Sequence, residues 1–314
     1  MFTRHGVRWR VRDGIPTEEV PDSPSQSHTA DRFGYKWSRR DTFESEAVTA
    51  RSRAWLDERY GEADLILQAG RGERPLILDA GCGAGHSILA WAGERLRAVD
   101  YVGIDASDAI RVARTRFGER GLAGLFVQGS LMRVPVPEEC FDLILAEGVL
   151  HHTDDTRAAL LALTSRLRRG GRMLFYVYRR KGPIREFTDD YLRARLHEMS
   201  PTQGWEALMP LTRLGKALGD ADVTVDVPEA IDLLGIPAGP ISVQRLFYWH
   251  VFKAFYAPEM TVDEMNHVNF DWYAPVNARR HTIEEVREWC AEAGLEIDRE
   301  VVEPAGITIV STRM

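Results

Sequence analysis

From Pro75 onward, short apolar runs alternate with segments in which apolar residues recur every three or four positions. The runs "LILDA" (76–80), "VDYVGIDA" (99–106), "LFVQG" (125–129), "FDLILAEG" (141–148) and "RMLFYVY" (172–178) predict five strands, the last entered through a turn at Gly170-Gly171. Ser87 to Leu96, Ser107 to Arg120 and Thr156 to Arg169 predict the intervening helices, with Leu160, Leu163 and Leu167 on one face of the third. Apolar strands joined by helices of this length predict an α/β fold with a doubly wound, mainly parallel sheet covered on both faces. Ligands of such sheets bind beyond the carboxyl ends of the strands, so residues placed there are the candidates for chemistry.

The alternation stops from Gly182 to His281 and resumes with "TIEEVREWCAEAG", where Thr282 and Glu285 predict a capping box and Gly294 a C-cap. "LEIDREVVE" and "ITIVSTRM" then bring the sheet to seven strands. Within the interruption, Phe187, Tyr191, Leu192, Leu196 and Met199 form one apolar helical stripe and Val243, Phe247, Val251 and Phe255 another. An insertion (182–281) that leaves and rejoins the sheet at its binding edge predicts a helical lid over a pocket. Residues 1–70 predict an N-terminal extension and cap: a strand or hairpin in "VRWRVRDGIP", a linker in "PDSPSQS", an aromatic cluster in "DRFGYKW" and a helix from about Thr42 to Tyr60. The sheet domain is then 71–181 and 282–314.

Composition narrows the partners. A chain that is 44% hydrophobic and 28% charged is an ordinary globular one. Its formal charge of −7 argues against nucleic acid. No apolar run reaches the ~18 residues of a membrane span, and the start lacks a signal-peptide core, so no membrane partner is expected. Cys82, Cys140 and Cys290 are scattered, which predicts neither a disulfide frame nor a metal site and fits a reducing, cytoplasmic compartment.

Candidate chemistry begins at "LDAGCGAG", which puts Gly81, Gly83 and Gly85 on a strand-to-helix turn, with Asp105 ending the next strand. Glycine lets backbone approach a ligand closely, and an acid so placed can accept both ribose hydroxyls of a nucleoside. A dinucleotide loop is spaced G-x-G-x-x-G and offers pyrophosphate a helix N-terminus. Here the spacing is G-x-G-x-G, His86 stands at the third-glycine position, and Asp79 lies in front. That acidic approach suits S-adenosylmethionine, with its sulfonium and ammonium and no phosphate, better than NAD.

On these residues, together with "VGIDAS", "FDLILAEGVLHH" and "RLRRGGRMLF", the sequence resembles the class I S-adenosylmethionine-dependent methyltransferases over 75–178 and 282–314. The resemblance implies a Rossmann-like fold and S-adenosylmethionine as cofactor. It places Gly81, Gly83 and Gly85 along the cofactor, Asp79 at its methionine end, Asp105 and Ala106 at the ribose, Ser130 and Leu131 at the adenine, and Glu147, at the end of the fourth strand, among the cofactor-binding residues. Family members commonly have an acid after the third strand to meet the adenine amine. This chain has Gly129-Ser130-Leu131 there.

His151 and His152 follow the fourth strand at its carboxyl end. Adjacent side chains diverge, which makes a shared metal the lesser reading. One structural alternative packs one histidine under the sheet and uses the other to cap the helix entered at Asp154-Asp155. The other reading is catalytic: a hydroxyl acceptor must lose a proton as it is methylated, and histidine has a suitable pKa. The pair resembles that of some sugar and other small-molecule O-methyltransferases, which implies His152 as base and His151 as helper, or the reverse. After the fifth strand an orienting acid is missing; Tyr178 and Arg179 stand there instead.

Acceptor candidates come from "FDWYAPVNARRHTIEEV": Trp272 and Tyr273 to stack on a ring, Arg280 to meet an anion, and His281 beside them. Anchoring of the lid by the two aromatics, with His281 as an N-cap neighbour, is an equal alternative. This stretch, with "KGPIREFTDDYLR" and "RFGYKW", resembles a bacterial subgroup that tailors sugars, polysaccharides or natural products. The expected activity is methylation of a small-molecule acceptor, at oxygen first and nitrogen or carbon next. An NAD-dependent oxidoreductase and a non-catalytic cofactor-binding subunit compete with it, and "RLFYWHVFKAFY" is either lid core or a homodimer face.

Overall fold

The computed structural model describes residues 2–4, 7–19, 23–68 and 74–314, which fall into two compact units. One comprises 1–38, 49–179 and 277–314, the other 39–48 and 180–276. The boundary expected at residues 70 and 71 lies outside the described residues.

The first unit contains β1 (Phe2–Arg4), β2 (Val7–Arg12), β3 (Ile15–Glu18), α1 (Pro24–Ser38), most of α2 (Glu46–Tyr60), α3 (Leu65–Gln68), β4 (Leu76–Ala80), α4 (His86–Trp91), β5 (Asp100–Asp105), α5 (Ala109–Glu119), β6 (Leu125–Gln128), β7 (Phe141–Ala146), α6 (Thr156–Thr164) and β8 (Leu167–Tyr178). The second contributes α7 (Pro183–His197), α8 (Pro201–Asp220), β9 (Thr224–Val227), β10 (Gly239–Ser242), α9 (Val243–His250) and α10 (Val262–Tyr273). The chain then returns to the first for α11 (Ile283–Glu292), β11 (Leu295–Val302) and β12 (Gly306–Arg313).

The strand order is β1-β2-β3-β6-β5-β4-β7-β8-β12-β11. From β6 to β8 neighbours run parallel, and β12 inserts antiparallel between β8 and β11. The seven expected strands are therefore present. Successive residues of the central strands feed opposite cores: Ile77, Leu143 and Leu145 pack with Ile88, Trp91 and Phe117, and Leu78, Ile144 and Ala146 with Leu160, Leu163 and Val286. Each such side chain, fully buried, stabilises the fold by about 1.5–3 kcal/mol.

The sheet extends beyond the seven strands because the N-terminal hairpin joins its edge, β3 pairing parallel with β6 at Thr17 and Gln128. Trp9 and Ile15, on opposite faces of the hairpin, are both fully buried. The expected linker is a helix start. Residues 21–22 lie outside the described ones, but Ser23 Oγ accepts from Gln26 N at 3.0 Å and Pro24 opens α1.

The helix expected to reach Arg169 ends at Thr164, and β8 already begins at Leu167. Gly170-Gly171 is not a turn before the strand but lies in an irregularity within it: Phe141 pairs with Leu167, yet Leu143 pairs with Arg172. Leu167 nonetheless packs in the same core as Leu160 and Leu163, which is why it fitted the helical period. The helix expected over Ser87 to Leu96 breaks after Trp91 into a tighter turn from Gly93 to Ala98. At α11 the capping box is as expected, Glu285 N donating to Thr282 Oγ1 at 3.3 Å and Thr282 N to Glu285 Oε2 at 2.8 Å.

The second unit is largely helical, as expected, and adds an unforeseen hairpin of β9 and β10. Its core joins α8 to α10 through Trp205 and Phe270, 5.5 Å apart, and through Thr212 with Asn266 and Asn269. Helix α7 keeps only part of the expected stripe: Leu196 is buried, but Phe187 and Tyr191 are 73% and 56% exposed, and the rest of the buried face is Arg185, Asp189 and Arg193. The charges can go inside because Arg185 Nε pairs with Asp189 Oδ1 at 2.9 Å and Arg193 Nη2 donates to the Trp272 carbonyl at 3.1 Å. Val251 and Phe255 lie past the end of α9. Among the described residues, no helix is long and apolar enough to cross a membrane.

Candidate active site

The turn between β4 and α4 is a left-handed glycine turn: Gly81, Gly83 and Gly85 have φ of 70°, 53° and 68°. It is tied to β5 by Gly81 N and Cys82 N, which donate to the Ile104 carbonyl at 2.7 and 3.1 Å. Its glycines are sterically required. A Cβ on Gly81 would fall 2.1 Å from Val149, which precedes the histidines, and one on Gly83 would fall 2.7 Å from Trp37 Nε1. Cys82 is buried beside Asp79 and Asp105, and burial pushes its thiol well above the usual range, which makes it inert.

Two acids face this turn. Asp105 accepts from Gly83 N at 2.8 Å through one oxygen and from Ser107 N and Oγ at 2.8 and 2.6 Å through the other. Burial raises its pKa, against the pull of those donors and of Lys36. Asp79 accepts from the Tyr101 hydroxyl at 2.9 Å. Burial lifts its carboxyl to about 7, the Tyr101 bond opposing and Asp105 adding to the rise.

Helix α1 lies over the turn. Trp37 packs on Gly83, and the buried Lys36 ammonium sits 4.0 Å from the Trp37 ring. Phe33 meets the His152 ring edge-on at 4.8 Å. His86, at the start of α4, has its Nε2 2.8 Å from Ser52 Oγ and is driven down to about 3 by burial, with Arg116, Lys36 and Arg120 adding to the shift.

His151 and His152 lie in a tight turn, Leu150–His152, directly after β7. Contrary to the expectation that they diverge, their rings touch, with centroids 4.3 Å apart, and both are buried. His151 stacks on Tyr178 at 3.7 Å. His152 Nδ1 is 2.6 Å from the carbonyl oxygen of Asn277. A carbonyl only accepts, so Nδ1 carries a proton, and in the neutral tautomer the lone pair is on Nε2. Asn277 is itself held by Asp154, whose Oδ1 takes its Nδ2 at 2.9 Å, and Asp154 also accepts from Ser23 and Ser25. Neither histidine caps α6, because Asp155 does so by accepting from Ala158 N.

The other candidates are spread across the two units. Tyr178, Arg179, Arg280 and His281 belong to the first, where His281 N donates to the Tyr178 carbonyl and its Nε2 is 3.0 Å from Thr156 Oγ1. Trp272 and Tyr273 are buried in the second, and the Tyr273 hydroxyl accepts from Lys253 N at 2.7 Å. Glu147 takes the Tyr60 hydroxyl proton donor. Leu131 is buried, Ala106 follows Asp105, and Ser130 Oγ accepts from Met132 N.

Sequence reasoning missed three residues. Asn277 is 125 positions from the histidine it orients. Phe33 sat unassigned within the aromatic cluster. Glu18, from β3, reaches the place after β6 where the chain lacks its own acid: its carboxylate accepts from Ser130 N at 2.8 Å and pairs with Arg133. Only a strand pairing reveals it.

Asp79, buried, and Asp105, half-buried, both with raised pKa values, suit a ligand that brings positive charge and hydroxyl donors. The donor set thus fits S-adenosylmethionine rather than NAD. The comparisons agree. A methyltransferase-domain family matches residues 78–175. The malonyl-[acyl-carrier protein] O-methyltransferase of Serratia marcescens is 30% identical over 193 residues, 57% of this chain and 69% of that one. An uncharacterized methyltransferase, YcgJ, of Bacillus subtilis is 30% identical over 146 residues, 44% of this chain and 56% of its own length. The chain likewise spans only 46% of an uncharacterized methyltransferase from Mycobacterium bovis. The magnesium protoporphyrin IX methyltransferase of Synechocystis, solved with bound S-adenosylmethionine, shares the fold at 12% identity and a TM-score of 0.50, covering 94% of this chain and 100% of that one.

The chain therefore belongs to the class I S-adenosylmethionine-dependent methyltransferases. Its cofactor is S-adenosylmethionine, which supplies an electrophilic methyl group on a sulfonium leaving group.

Proposed function

We propose that this methyltransferase methylates a hydroxyl of a small molecule, a sugar or natural product, with His152 as the general base. The observation that carries the reading is the bond from His152 Nδ1 to the Asn277 carbonyl, which leaves the basic lone pair on Nε2 at the carboxyl end of β7. His151, stacked on Tyr178, holds the base against rotation and limits water around it. The bond to Asn277 stabilises the imidazolium that forms when Nε2 takes the acceptor proton. Gly81, Gly83, Gly85, Asp79, Asp105 and Ala106 would hold the cofactor, with Ser130, Leu131 and Glu147 beside it. Tyr178, Arg179, Arg280 and His281 would meet the acceptor. The O-methyltransferase among its relatives supports oxygen as the accepting atom.

The test is transfer of labelled methyl to a panel of hydroxylated sugars and aglycones, with S-adenosylhomocysteine binding measured in parallel. His152→Ala should lower turnover by about 10²–10⁴-fold and leave that binding intact. Unchanged turnover would end the assignment, and lost binding would mark the residue as structural.

A further inference from the structure

Helix α1 carries Ser25, Thr29, Phe33 and Trp37 at intervals of four, so these side chains follow one another along one flank. Each meets a different part of the candidate site. Ser25 Oγ donates to Asp154 Oδ1 at 2.8 Å, Thr29 Oγ1 accepts from Asn277 N at 3.2 Å, Phe33 lies edge-on to the His152 ring at 4.8 Å, and Trp37 packs on Gly83. All of them, with their partners, belong to the first unit.

Asn277 is the residue that this arrangement holds still. Its amide N is on Thr29, its side-chain Nδ2 donates to Asp154 Oδ1 at 2.9 Å, and its carbonyl faces His152 Nδ1 at 2.6 Å. Asp154 is in turn seated by two hydroxyls, Ser23 on Oδ2 at 2.6 Å and Ser25 on Oδ1. Partial burial raises the pKa of this carboxyl, but the bonds from Ser23, Asn277 and Ser25 and the charge of Arg279 outweigh it and hold the group below its usual range, so it stays an acceptor. Asp154 has no part in capping α6, which Asp155 does. What its carboxylate holds is Asn277, and a carbonyl can set the tautomer of a histidine only while its own backbone is fixed.

We propose that Asp154 is a positioning residue: through the Asn277 side chain it keeps the Asn277 carbonyl on His152 Nδ1 and the lone pair on Nε2. That this ring is the base rests on the preceding proposal, but the control of its tautomer does not.

Nitrogen-15 NMR of the histidine-labelled full chain, saturated with S-adenosylhomocysteine and recorded where the ring is neutral, tests it. The His152 signals are those lost in His152→Gln. The wild type should show a protonated Nδ1 and a bare Nε2. Asp154→Ala and Asn277→Ala, the second of which retains the carbonyl itself, should each move the two nuclei towards a mixture of tautomers, and the double variant should move them no further than the larger single effect. A wild-type proton on Nε2 overturns the inference, and so do unmoved nuclei in either single variant. If a variant loses its melting transition, Ser23→Ala combined with Ser25→Ala decides, since removing both donors should shift the same nuclei and an unchanged spectrum refutes the chain of bonds. On any hydroxylated acceptor that the labelled-methyl panel yields, Asp154→Ala should also lower kcat by about tenfold with S-adenosylhomocysteine binding intact, and an unchanged kcat overturns the positioning role. Unchanged turnover in His152→Ala removes the base and leaves the tautomer result standing, whereas unmoved nuclei remove this inference and leave the base.

Discussion

Trp37 rests on Gly83 so closely that a methyl group added to the glycine would fall 2.7 Å from the indole nitrogen. The glycine also holds a φ of 53°, so Gly83→Ala is penalised twice, by clash and by backbone. The variant should lose roughly 1–3 kcal/mol of stability and most of its cofactor affinity. Trp37→Ala should weaken S-adenosylhomocysteine binding with a smaller effect on melting. Thermal melts and calorimetry separate the two, and full affinity in Trp37→Ala would show that α1 does not cover the ligand.

Asp79, with its pKa near 7, makes cofactor binding pH-dependent. A cationic ligand favours the ionised carboxyl, so S-adenosylmethionine should displace a proton and bind more weakly as pH falls through 7, by up to about tenfold per unit. An unfolded carboxyl titrates near 3.8, so the ligand-free fold holds the extra proton between the two values and loses stability as pH rises across them. Asp79→Asn should flatten both dependences, and heats measured in buffers of different ionisation enthalpy would count the proton.

The Glu18 carboxylate organises the loop after β6 through Ser130 N and Arg133. Glu18→Ala should therefore reduce affinity for S-adenosylhomocysteine. If the contact serves the adenine-side loop, discrimination between adenosine- and inosine-based analogues should narrow as well. Equal discrimination in both proteins would confine Glu18 to holding the edge of the sheet.

His86 contributes in the opposite pH direction. Its imidazole is held neutral to about 3, whereas an unfolded one protonates below 6.5, so stability should fall as pH drops through that window. One such proton accounts for about 1.4 kcal/mol per unit at most. Denaturant titrations of the wild type and His86→Gln at pH 4 and pH 7 should differ by that slope.

The sheet was legible because strands buried on both faces leave unmistakable apolar runs, and α11 because its capping box is local. The glycine turn with Asp79 and Asp105 was equally open to reading, since strand, turn and acid are contiguous or one unit apart. Leu167 misled because a strand residue can share a core with a preceding helix and so extend its period. Helix α7 misled for another reason: periodicity marks a stripe but not how far round the helix burial extends, and with Arg185 paired to Asp189 inside, Phe187 and Tyr191 face out while Leu196 stays in. Asn277 and Glu18 depend on contacts across the chain, for which no local spacing exists, whereas the adjacent histidine rings touch within a tight turn.

The hairpin that ends in Glu18 also does something for the molecule in solution. By lying beside β6 and pairing with it at Gln128, it covers an edge row of backbone amides and carbonyls that would otherwise invite a strand from another molecule. A shortened protein starting at Ser23 would bare that row together with Leu125, already 70% exposed, and would be prone to self-association however well its cofactor turn survived.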